Sequence, residues 1–401
     1  LNPNHAEFYT NLGSTLTELG KIEEAITNHQ KAIKLNPQYA EAYSNLGIAL
    51  AGLGKFEEAI VNHQHALKLN PKYTKAILNE SFIRLTLGEL KIGWAKYEMR
   101  LGKGGVTAIR YQTEKIWNGD FLDGTLLVWG EQGIGDHIIF ASMLTDLRKY
   151  AKNIILEVDK RLENLLKRYF EKMNFSNIKI LDAEKIRTHD FDKHIAIGSL
   201  GQYLRKSKKS FDATPKKYMI PSLLKEKELR NKFFQYNKLK IGISWKTLNK
   251  KQQFRNVNLE QLMPILSNPS LNFVNLQFGK TDEEIKKLNS EHGIHINTID
   301  NIDNYNDIES LGALINCLDL VITIQNSTAH LAAALGKETW ILLVKNARWH
   351  WTLLNKKKAL WYPMAKLFRQ EKFGYWNNVI DAVNIDLKKF QSAKKINKNE
   401  K

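Results

Sequence analysis

Apolar and small residues recur at helical spacing through the first quarter of the chain. Within Ala6–Tyr39, one stripe is formed by Tyr9, Leu12, Gly13 and Leu16, and a second by Ala25, Ile26, His29 and Ala32. Positions three or four residues apart lie on the same face of a helix. The pattern therefore predicts two amphipathic helices within this segment.

This helical pair is repeated. The segment Ala40–Tyr73 is identical to Ala6–Tyr39 at about two thirds of its positions, with NLG, LGK, EEAI, NHQ and LNP recurring in phase. A helical hairpin of this length is typical of the tetratricopeptide repeat (TPR). Residues 74–102 continue the pattern as a degenerate third unit that docks onto something, so we expect a TPR solenoid over 1–102. Because Leu1-Asn2-Pro3 repeats the end of a unit, the array is expected to begin upstream.

Single residues inside the repeats have expected structural roles. Gly20 should end the first helix, and Pro37 falls just beyond the second, where it interrupts no helical hydrogen bond. Gly13 and Ala25 should let the paired helices approach closely. The equivalent residues His29 and His63 are better explained by packing or by a surface groove than by metal ligation.

Beyond the loop at 103–106, short apolar runs alternate with amphipathic helical stretches. The first series is Leu126–Trp129, Ile154–Val158, Ile178–Leu181 and His194–Ile197; the second is Ile241–Ser244, Phe273–Leu276, Ile294–Asn297, Leu320–Thr323 and Trp340–Leu343. Such alternation is typical of parallel α/β sheets. We expect one Rossmann-like lobe over 107–232, a charged connection near Lys225–Lys238, a second lobe over 238–385, and a ligand cleft between the lobes. The basic tail 386–401 is expected to be disordered.

Composition narrows the class of protein. Sixty Lys and Arg against 42 Asp and Glu give a formal charge of +18 over 401 residues. This favours anion handling, but no nucleic-acid motif or concentrated basic stripe with interleaved aromatics accompanies it, and we expect no nucleic-acid partner. No apolar run reaches the length of a membrane span, and the lone Cys317 sits in an apolar stretch typical of a core residue. We therefore expect a cytoplasmic protein.

Several well-known chemical motifs are missing. The sequence contains no CxxC, HExxH or GxxxxGK[ST] pattern, and no GxSxG elbow. It therefore offers no support for a catalytic metal, and we expect no metal and no bound cofactor.

The segment LLVWGEQGIGDHIIF is the first with candidate chemistry. An apolar strand leads into a loop with Gly133 and Gly135 and then into a helix that begins near Asp136. The glycines would let the backbone approach a substrate closely. Asp136 fits two roles, a helix cap or a general base facing a cleft.

The segment DLVITIQNSTAHLAAALGK is the second. Its turn places Asn326, Ser327 and Thr328 where backbone N–H groups and short hydroxyls can bind a diphosphate at the positive end of a helix, with His330 as a further donor. The alternative is a simple helix cap followed by a packed histidine.

Two further loops follow strands of the second lobe. Lys246 and Arg255 are candidates for neutralising a diphosphate leaving group. In LQFGKTDEE, Gln277 ends a strand and Glu283 is placed to reach ribose hydroxyls. An ordinary loop and helix start explains that segment equally well.

The combination resembles a known family. The resemblance depends on the segments GWAKYEMR, IWNG, EQGIGD, NLQFG and NSTAHLAAALGK, and on the run ARWHW…WYPMAKLFRQ…YW. From about Trp117 to Trp376 the chain resembles two-lobed GT-B glycosyltransferases related to the ADP-heptose lipopolysaccharide heptosyltransferases (glycosyltransferase family 9), in the variety fused to TPRs. Its architecture is also similar in outline to protein O-GlcNAc transferases and flagellin glycosyltransferases.

The resemblance implies a metal-independent, inverting transfer from a nucleotide-sugar donor. It implies that Asp136 is the general base and that the turn from Asn326 to Thr328, with His330, binds the diphosphate. Arg255 falls nearest the family's phosphate-contacting lysine, with Lys246 as a rival.

Two positions depart from the family pattern. Gln325 stands where relatives commonly carry aspartate, which implies either a different donor or lost activity. After Trp351, where relatives often carry acidic residues, the sequence reads LLNKKKALWYP.

Three functions remain open at this point. The leading expectation is a glycosyltransferase whose TPR array holds a protein or peptide acceptor, such as flagellin or another surface protein, on its concave face. The second is a heptosyltransferase-like enzyme that acts on lipopolysaccharide or another glycan. The third is a scaffold whose lobes no longer catalyse.

Overall fold

A computed structural model describes residues 5–181, 191–233, 238–354 and 357–399. These residues form two compact units. One takes residues 5–116 together with 199–212 and 345–354, and the other takes the remaining described residues. The fragment Leu1-Asn2-Pro3 lies outside the described residues, as do part of the charged connection near Lys225–Lys238 and the last two residues of the tail.

The helices have the following bounds. They are α1 Ala6–Glu18, α2 Ile22–Leu35, α3 Ala40–Gly52, α4 Phe56–Leu69, α5 Thr74–Leu87, α6 Leu90–Tyr97, α7 Ile134–Ala141, α8 Leu144–Leu147, α9 Glu163–Lys172, α10 Gly201–Leu204, α11 Leu223–Phe233, α12 Leu259–Leu266, α13 Asp282–His292, α14 Ile308–Cys317, α15 Ser327–Ala334 and α16 Asn377–Asn399. Short 3-10 turns occur at Glu98–Arg100, Thr113–Lys115, Lys160–Leu162, Ile197–Leu200, Lys208–Ala213, Lys250–Arg255 and Trp349–Trp351.

Helices α1 to α6 form three helical hairpins, which confirms the predicted TPR array. Gly20 takes a left-handed conformation with φ of 77° just after α1, and Pro37 follows the end of α2, both as expected. Apolar side chains of successive hairpins share clusters; Leu46, for example, packs with Ile26 of the preceding repeat and Ile83 of the following one.

A glycine and a histidine set the spacing of the first two hairpins. A Cβ atom on Gly13 would lie 2.6 Å from the ring of His29, and one on Gly47 would lie 2.9 Å from the ring of His63. Both imidazoles are fully buried. The packing role expected for these histidines is confirmed, since each ring fills the space that its glycine leaves open.

The third hairpin keeps the two helices but changes this contact. At the equivalent positions, Ser81 replaces the glycine and the buried Tyr97 replaces the histidine. The small residue moves to the second helix, where a Cβ on Gly93 would lie 2.8 Å from Leu85. The third repeat therefore keeps the hairpin but not the glycine–histidine contact of the first two.

Segments from far along the sequence complete the first unit around Trp94. The fully buried indole donates from Nε1 to the carbonyl of Arg205 at 2.9 Å, and its ring lies edge-on to Trp349 at 5.3 Å. Gly201 is essential to this packing, because a Cβ there would lie 2.6 Å from the Trp94 ring. The docking expected of the third repeat thus includes contacts with these two segments.

Polar contacts support the same assembly. The buried guanidinium of Arg100 donates to Ser199 Oγ at 2.8 Å, and Ser199 in turn donates to the Glu98 carboxylate at 2.7 Å. The N–H of Leu353 donates to the carbonyl of Thr86 at 2.9 Å, at the end of α5. The unit therefore contains more than the three repeats.

The second unit contains two parallel sheets with helices, which confirms the α/β class. The strands are β1 Leu122–Trp129, β2 Ala151–Leu156, β3 Ile178–Ile180, β4 Lys193–Ala196, β5 Leu239–Ser244, β6 Leu271–Asn275, β7 Ile296–Asn297, β8 Leu320–Ile324, β9 Thr339–Leu343 and β10 Ala365–Arg369. Their order is β3-β2-β1-β4 in one sheet and β10-β9-β8-β5-β6-β7 in the other. Each of the nine predicted runs overlaps a strand, whereas β10 was missed because lysine and arginine interrupt its short apolar pattern.

The C-terminal segment differs from its expectation. Residues 386–399 were expected to be disordered, but α16 continues to Asn399. Val379, Ile380, Val383 and Leu387 lie at helical spacing and are buried. Apolar burial on one face therefore makes helix formation favourable in spite of the many lysines.

Two glycine substitutions on α3 test the close packing of the repeats. We expect Gly47→Ala to destabilise the array by about 1–3 kcal/mol, because the new methyl would overlap His63. Gly52→Ala on the same helix meets only Ile22 at 3.7 Å and should be neutral or stabilising by up to about 1 kcal/mol. Both effects can be measured by amide hydrogen exchange of the full chain, which gives the free energy of local opening for peptides from α3 and α4. Equal effects would contradict this account of the packing.

The buried histidines should make the array sensitive to acid. Burial lowers the pKa of His29 and of His63 from 6.5 to about 4. The unfolded chain therefore binds protons first as the pH falls, and stability present above pH 6.5 is lost between about 6.5 and 4. At pH 5 the loss is about 2 kcal/mol per histidine.

Hydrogen exchange of α1 to α4, corrected for intrinsic exchange rates, should report this loss between pH 7 and 5. The double substitution His29→Gln with His63→Gln should remove most of the pH dependence, whereas His5→Gln, which alters an exposed histidine, should not. A wild-type pH dependence in the double variant would mean that other groups carry it.

Candidate functional site

The loop after β1 turns sharply before α7. Gln132 has φ of 63°, a left-handed conformation that is uncommon for a residue other than glycine and often marks a functional site. The carboxylate of Asp136 accepts the N–H of Gly133 at 3.3 Å, and its side chain is half-buried. Asp136 therefore has the capping contact that its position suggested, and a general-base role remains a prediction.

The two glycines of this loop have different surroundings. A Cβ on Gly135 would lie 3.3 Å from His330 Cδ2, so Gly135 lets α7 pack closely against the first turn of α15. Gly133 has φ of −100°, and its nearest neighbour would be Asp136 at 3.7 Å. Gly135 thus joins two helices that follow strands of different sheets, while neither space nor φ demands glycine at 133.

A buried tyrosine lies beside these helices. The Tyr362 hydroxyl and His330 Nδ1 are 2.7 Å apart. Burial, then the neighbouring Tyr218, and then the charge of Asp136 hold the pKa of Tyr362 well above its usual range. Burial also raises the pKa of Tyr218. The cluster therefore keeps a neutral phenol next to a histidine and near a carboxylate. Sequence reasoning did not single out Tyr362, although it belongs to the WYP run.

His137 follows Asp136 and has a structural role. Its Nδ1 accepts the N–H of Asp159 at 2.9 Å. Burial lowers the pKa of His137, and nearby carboxylates only partly offset this effect. A neutral imidazole thus ties the start of α7 to the residues that follow β2.

The side chain of Asn326 is fully engaged at the start of α15. Its Oδ1 accepts the N–H of Ala329 at 3.2 Å and the hydroxyl of Thr323 at 3.1 Å. Its Nδ2 donates to Ser244 Oγ at 2.8 Å. Asn326 therefore caps the helix and joins the ends of β5 and β8.

The hydroxyl residues that follow Asn326 have different surroundings. The hydroxyls of Ser327 and Thr328 make no hydrogen bond with any described residue, and Thr328 is buried while Ser327 is half-buried. They lie at the positive end of α15, and their predicted role in binding a diphosphate stays a prediction.

The two candidate cations lie in different environments. Lys246 forms an ion pair with Glu284 on α13, and its ammonium also donates to the carbonyl of Lys280 at 3.3 Å. Arg255 is 7% exposed, with its guanidinium carbon 5.5 Å from the centre of the Phe254 ring. The charge of Lys246 is already balanced, so an anion there would compete with Glu284.

Gln277 supports the end of β5. Its Oε1 accepts from Ser244 Oγ, Trp245 N and Lys246 N at 2.9–3.0 Å, and its Nε2 donates to the carbonyl of Phe278 at 2.9 Å. Both polar atoms of the amide are thus hydrogen-bonded. Glu283, the other candidate in this segment, is exposed in the first turn of α13.

The side chain of Gln325, in contrast to that of Gln277, is buried without hydrogen bonds to the described residues. It is 4% exposed, and neither its Oε1 nor its Nε2 has a hydrogen-bond partner among the described residues. Burying an unpaired amide costs a few kcal/mol. This cost falls immediately before Asn326, at the start of α15.

The remaining observations concern Cys317, metal ions and membrane spans. Cys317 is buried, which raises its pKa to about 11, in agreement with the predicted core role. Across the described ranges, no three His, Cys, Asp or Glu residues are grouped so as to hold a metal ion. Among the same residues, no helix is both long and apolar enough to span a membrane.

Two family models match the repeats. Residues 13–54 match the family described as TPR repeat, and residues 40–73 match tetratricopeptide repeat. The first TPR of Spaghetti (RPAP3), bound to HSP90 peptide SRMEEVD, is 27% identical, with 25% of this chain and 79% of that chain covered and a TM-score of 0.24. The crystal structure of MamA is 26% identical, with coverages of 25% and 58% and a TM-score of 0.23.

A longer likeness is to Protein FlbA of Caulobacter vibrioides. The two sequences are 30% identical over 332 residues, which cover 78% of this chain and 54% of FlbA. The chain thus spans about half the length of this relative. Because the matched stretch is longer than the repeat region, the likeness includes part of the α/β unit.

Two glutamine substitutions test the contrast between Gln277 and Gln325. Gln325→Met removes a buried unpaired amide and should raise stability by about 1–3 kcal/mol. Gln277→Met removes four hydrogen bonds and should lower stability by about 2–4 kcal/mol. Thermal unfolding, together with hydrogen exchange of the β5 and β8 peptides, measures both. A destabilised Gln325→Met protein would show that the amide is satisfied.

Proposed function

We propose that the protein is a metal-independent, inverting glycosyltransferase of the GT-B type, which moves a sugar from a nucleotide-sugar donor to a hydroxyl of a protein acceptor. The observation that carries this proposal is the packing of α7 against the first turn of α15 through Gly135 and His330. It brings a carboxylate on one helix near a polar helix N-terminus that follows a strand of the other sheet.

The residues divide naturally into two roles. Asp136 takes the proton of the acceptor hydroxyl, whose oxygen forms a bond with the anomeric carbon while the bond from that carbon to the diphosphate oxygen breaks. The electron pair leaves with the diphosphate. The polar turn at Ser327 and Thr328 and the positive end of α15 stabilise the charge that develops there.

The pair formed by His330 and Tyr362 adds a neutral donor. Burial raises the pKa of Tyr362 further above its ordinary value, and the neutral phenol is placed to donate to His330 Nδ1. That contact leaves the second ring nitrogen of His330 as the proposed donor to the leaving group, without an added charge that must itself be desolvated. Arg255 and Lys246 both remain candidate cations for the diphosphate, and an anion at Lys246 would compete with Glu284.

The repeats motivate the choice of a protein acceptor. Stacked helical hairpins present an extended surface of the kind that binds peptide segments. The likeness to FlbA also covers more residues than the repeats alone, which favours a relationship that includes the α/β unit. Mass spectrometry of cells with and without the gene should find a protein glycan that depends on it. A change confined to lipid-linked glycans would favour a glycan acceptor instead.

Substitution of the base tests the chemistry. We expect Asp136→Asn to lower transfer or donor hydrolysis by about 100-fold or more with affinity for the nucleoside diphosphate retained, because the amide cannot accept the proton. Purified full-length protein would be assayed with a panel of nucleotide sugars. Asp123→Asn changes an exposed carboxylate on β1 and serves as the matched control.

The outcomes separate the candidate functions. Unchanged activity in Asp136→Asn would remove Asp136 from the mechanism. If the wild-type protein binds no nucleoside diphosphate in calorimetry, the scaffold function is favoured instead.

A further inference from the structure

We propose that Glu284 is a built-in counter-ion of the donor site. It holds the ammonium of Lys246 before a diphosphate binds, gives it up to the bound diphosphate, and takes it back when the diphosphate leaves. The inference rests on the proposed function, because it assumes that the ligand is a nucleotide-sugar donor. It assigns an autoinhibitory contact to a carboxylate that lies outside the proposed acid–base and diphosphate-binding residues.

Lys246 follows β5 at the point where that strand is joined to the start of α15. It comes two residues after Ser244, whose hydroxyl accepts from Asn326 at 2.8 Å. Gln277 accepts the backbone N–H of Lys246 at 2.9 Å. The main chain at 246 is therefore fixed, while the ammonium is carried on a flexible four-carbon stem. The ammonium can thus change its partner without a movement of the backbone.

The ammonium of Lys246 is paired with the carboxylate of Glu284. The two side chains are only 22% and 34% exposed, and the ammonium also donates to the carbonyl of Lys280 at 3.3 Å. Because partial burial weakens screening by solvent, this pair is stronger than an ion pair on an open surface. A diphosphate that recruits Lys246 must first break the pair. The pair therefore lowers the affinity for any anion that uses this lysine.

Glu284 keeps other favourable contacts when the lysine leaves. Its second carboxylate oxygen accepts the indole N–H of the buried Trp245 at 3.2 Å. Glu284 also lies in the first turn of α13, where the positive end of the helix stabilises a negative charge. Release of Lys246 therefore does not leave the carboxylate unpaired. The carboxylate stays in position to bind the lysine again, so the exchange is reversible.

The charges of the two partners give the exchange its direction. A nucleoside diphosphate carries more negative charge than a single carboxylate, so it attracts an ammonium more strongly at equal distance. Lys246 therefore turns to the ligand while the diphosphate is bound and returns to Glu284 as it leaves. In the proposed reaction, this competition favours release of the nucleoside diphosphate product.

Calorimetry on the full chain tests the exchange, with ADP, GDP, CDP and UDP as probes at one ionic strength. Glu284→Gln keeps an acceptor for the Trp245 indole but removes the charge. It should tighten the binding of nucleoside diphosphates by about 3- to 10-fold. Glu338→Gln is the matched control, because this carboxylate also accepts an indole N–H, that of Trp340, but lies at the amino end of β9. It should leave the affinity within about twofold of the wild type, since salt screens distant charges.

A lysine substitution separates the exchange from simple repulsion of the ligand by Glu284. Lys246→Met should weaken binding only about twofold in the wild type, where the attraction of the lysine for the ligand is offset by the loss of its pair. In the Glu284→Gln background the same substitution should weaken binding by about 5-fold or more, because no pair has to be broken. Additive effects would mean that Glu284 does not act through Lys246, and they would overturn the proposal.

The results distinguish the two proposals. Wild-type affinity in Glu284→Gln, or an equal gain in Glu338→Gln, overturns the counter-ion exchange and leaves the glycosyltransferase proposal standing. Binding that is detected only in Glu284→Gln supports the exchange. If neither the wild-type protein nor Glu284→Gln binds a nucleoside diphosphate, both proposals are overturned.

Discussion

A single buried amide organises the carboxyl-end edge of the six-stranded sheet. Gln277 Oε1 accepts three hydrogen bonds at the point where β5 ends, and those bonds fix the backbone of Trp245 and Lys246 together with the Ser244 hydroxyl. Ser244 then positions Asn326, which caps α15. The helix N-terminus, the loop after β5 and the loop after β6 thus depend on one another through a few short contacts. In a region shielded from water, such a network is strong only when each member is satisfied.

Gln325 stands beside this network without joining it. The same residue type, also just after a strand, is saturated at 277 and has no described partner at 325. Stability alone does not account for a buried polar group of that kind, because an apolar side chain of similar volume would avoid the desolvation cost. Residues that lower stability locally are often those that a ligand satisfies. Gln325 therefore has unpaired polar atoms that a water molecule, an ion or a ligand could satisfy.

The fold was predictable where local pattern determines structure. The repeated helical hairpins, the left-handed Gly20 and the buried strands all follow from periodicity and backbone chemistry, and the structure agrees. The strand β10 was missed because its apolar positions are few and lie next to charged residues. The tail at 386–399 was misjudged because it continues a helix whose buried residues, including Val379, Val383 and Leu387, begin before residue 386.

The site was less predictable, because pairings between distant residues decide it. The sequence could place Lys246 after a strand, but it did not reveal that Glu284 balances its charge. Gly135 was interpreted as a close approach to substrate, and the structure places it against His330. The hydrogen bond between Tyr362 and His330 has no local signature, since the two residues are distant in the chain.

The packing around Trp94 bears on how such a protein can change over evolutionary time. A repeat array that ends at a flexible linker can be gained, lost or exchanged as a block. Here the last hairpin shares its core with Gly201, Arg205 and Trp349, which are contributed by loops encoded far downstream. Recombination at the end of the third repeat would leave a tryptophan and a buried arginine without their neighbours. The second hairpin has one such contact with a downstream loop, a hydrogen bond from Asn346 to the carbonyl of Gly52. The number of repeats can therefore vary most freely at the end of the array that begins with the first hairpin.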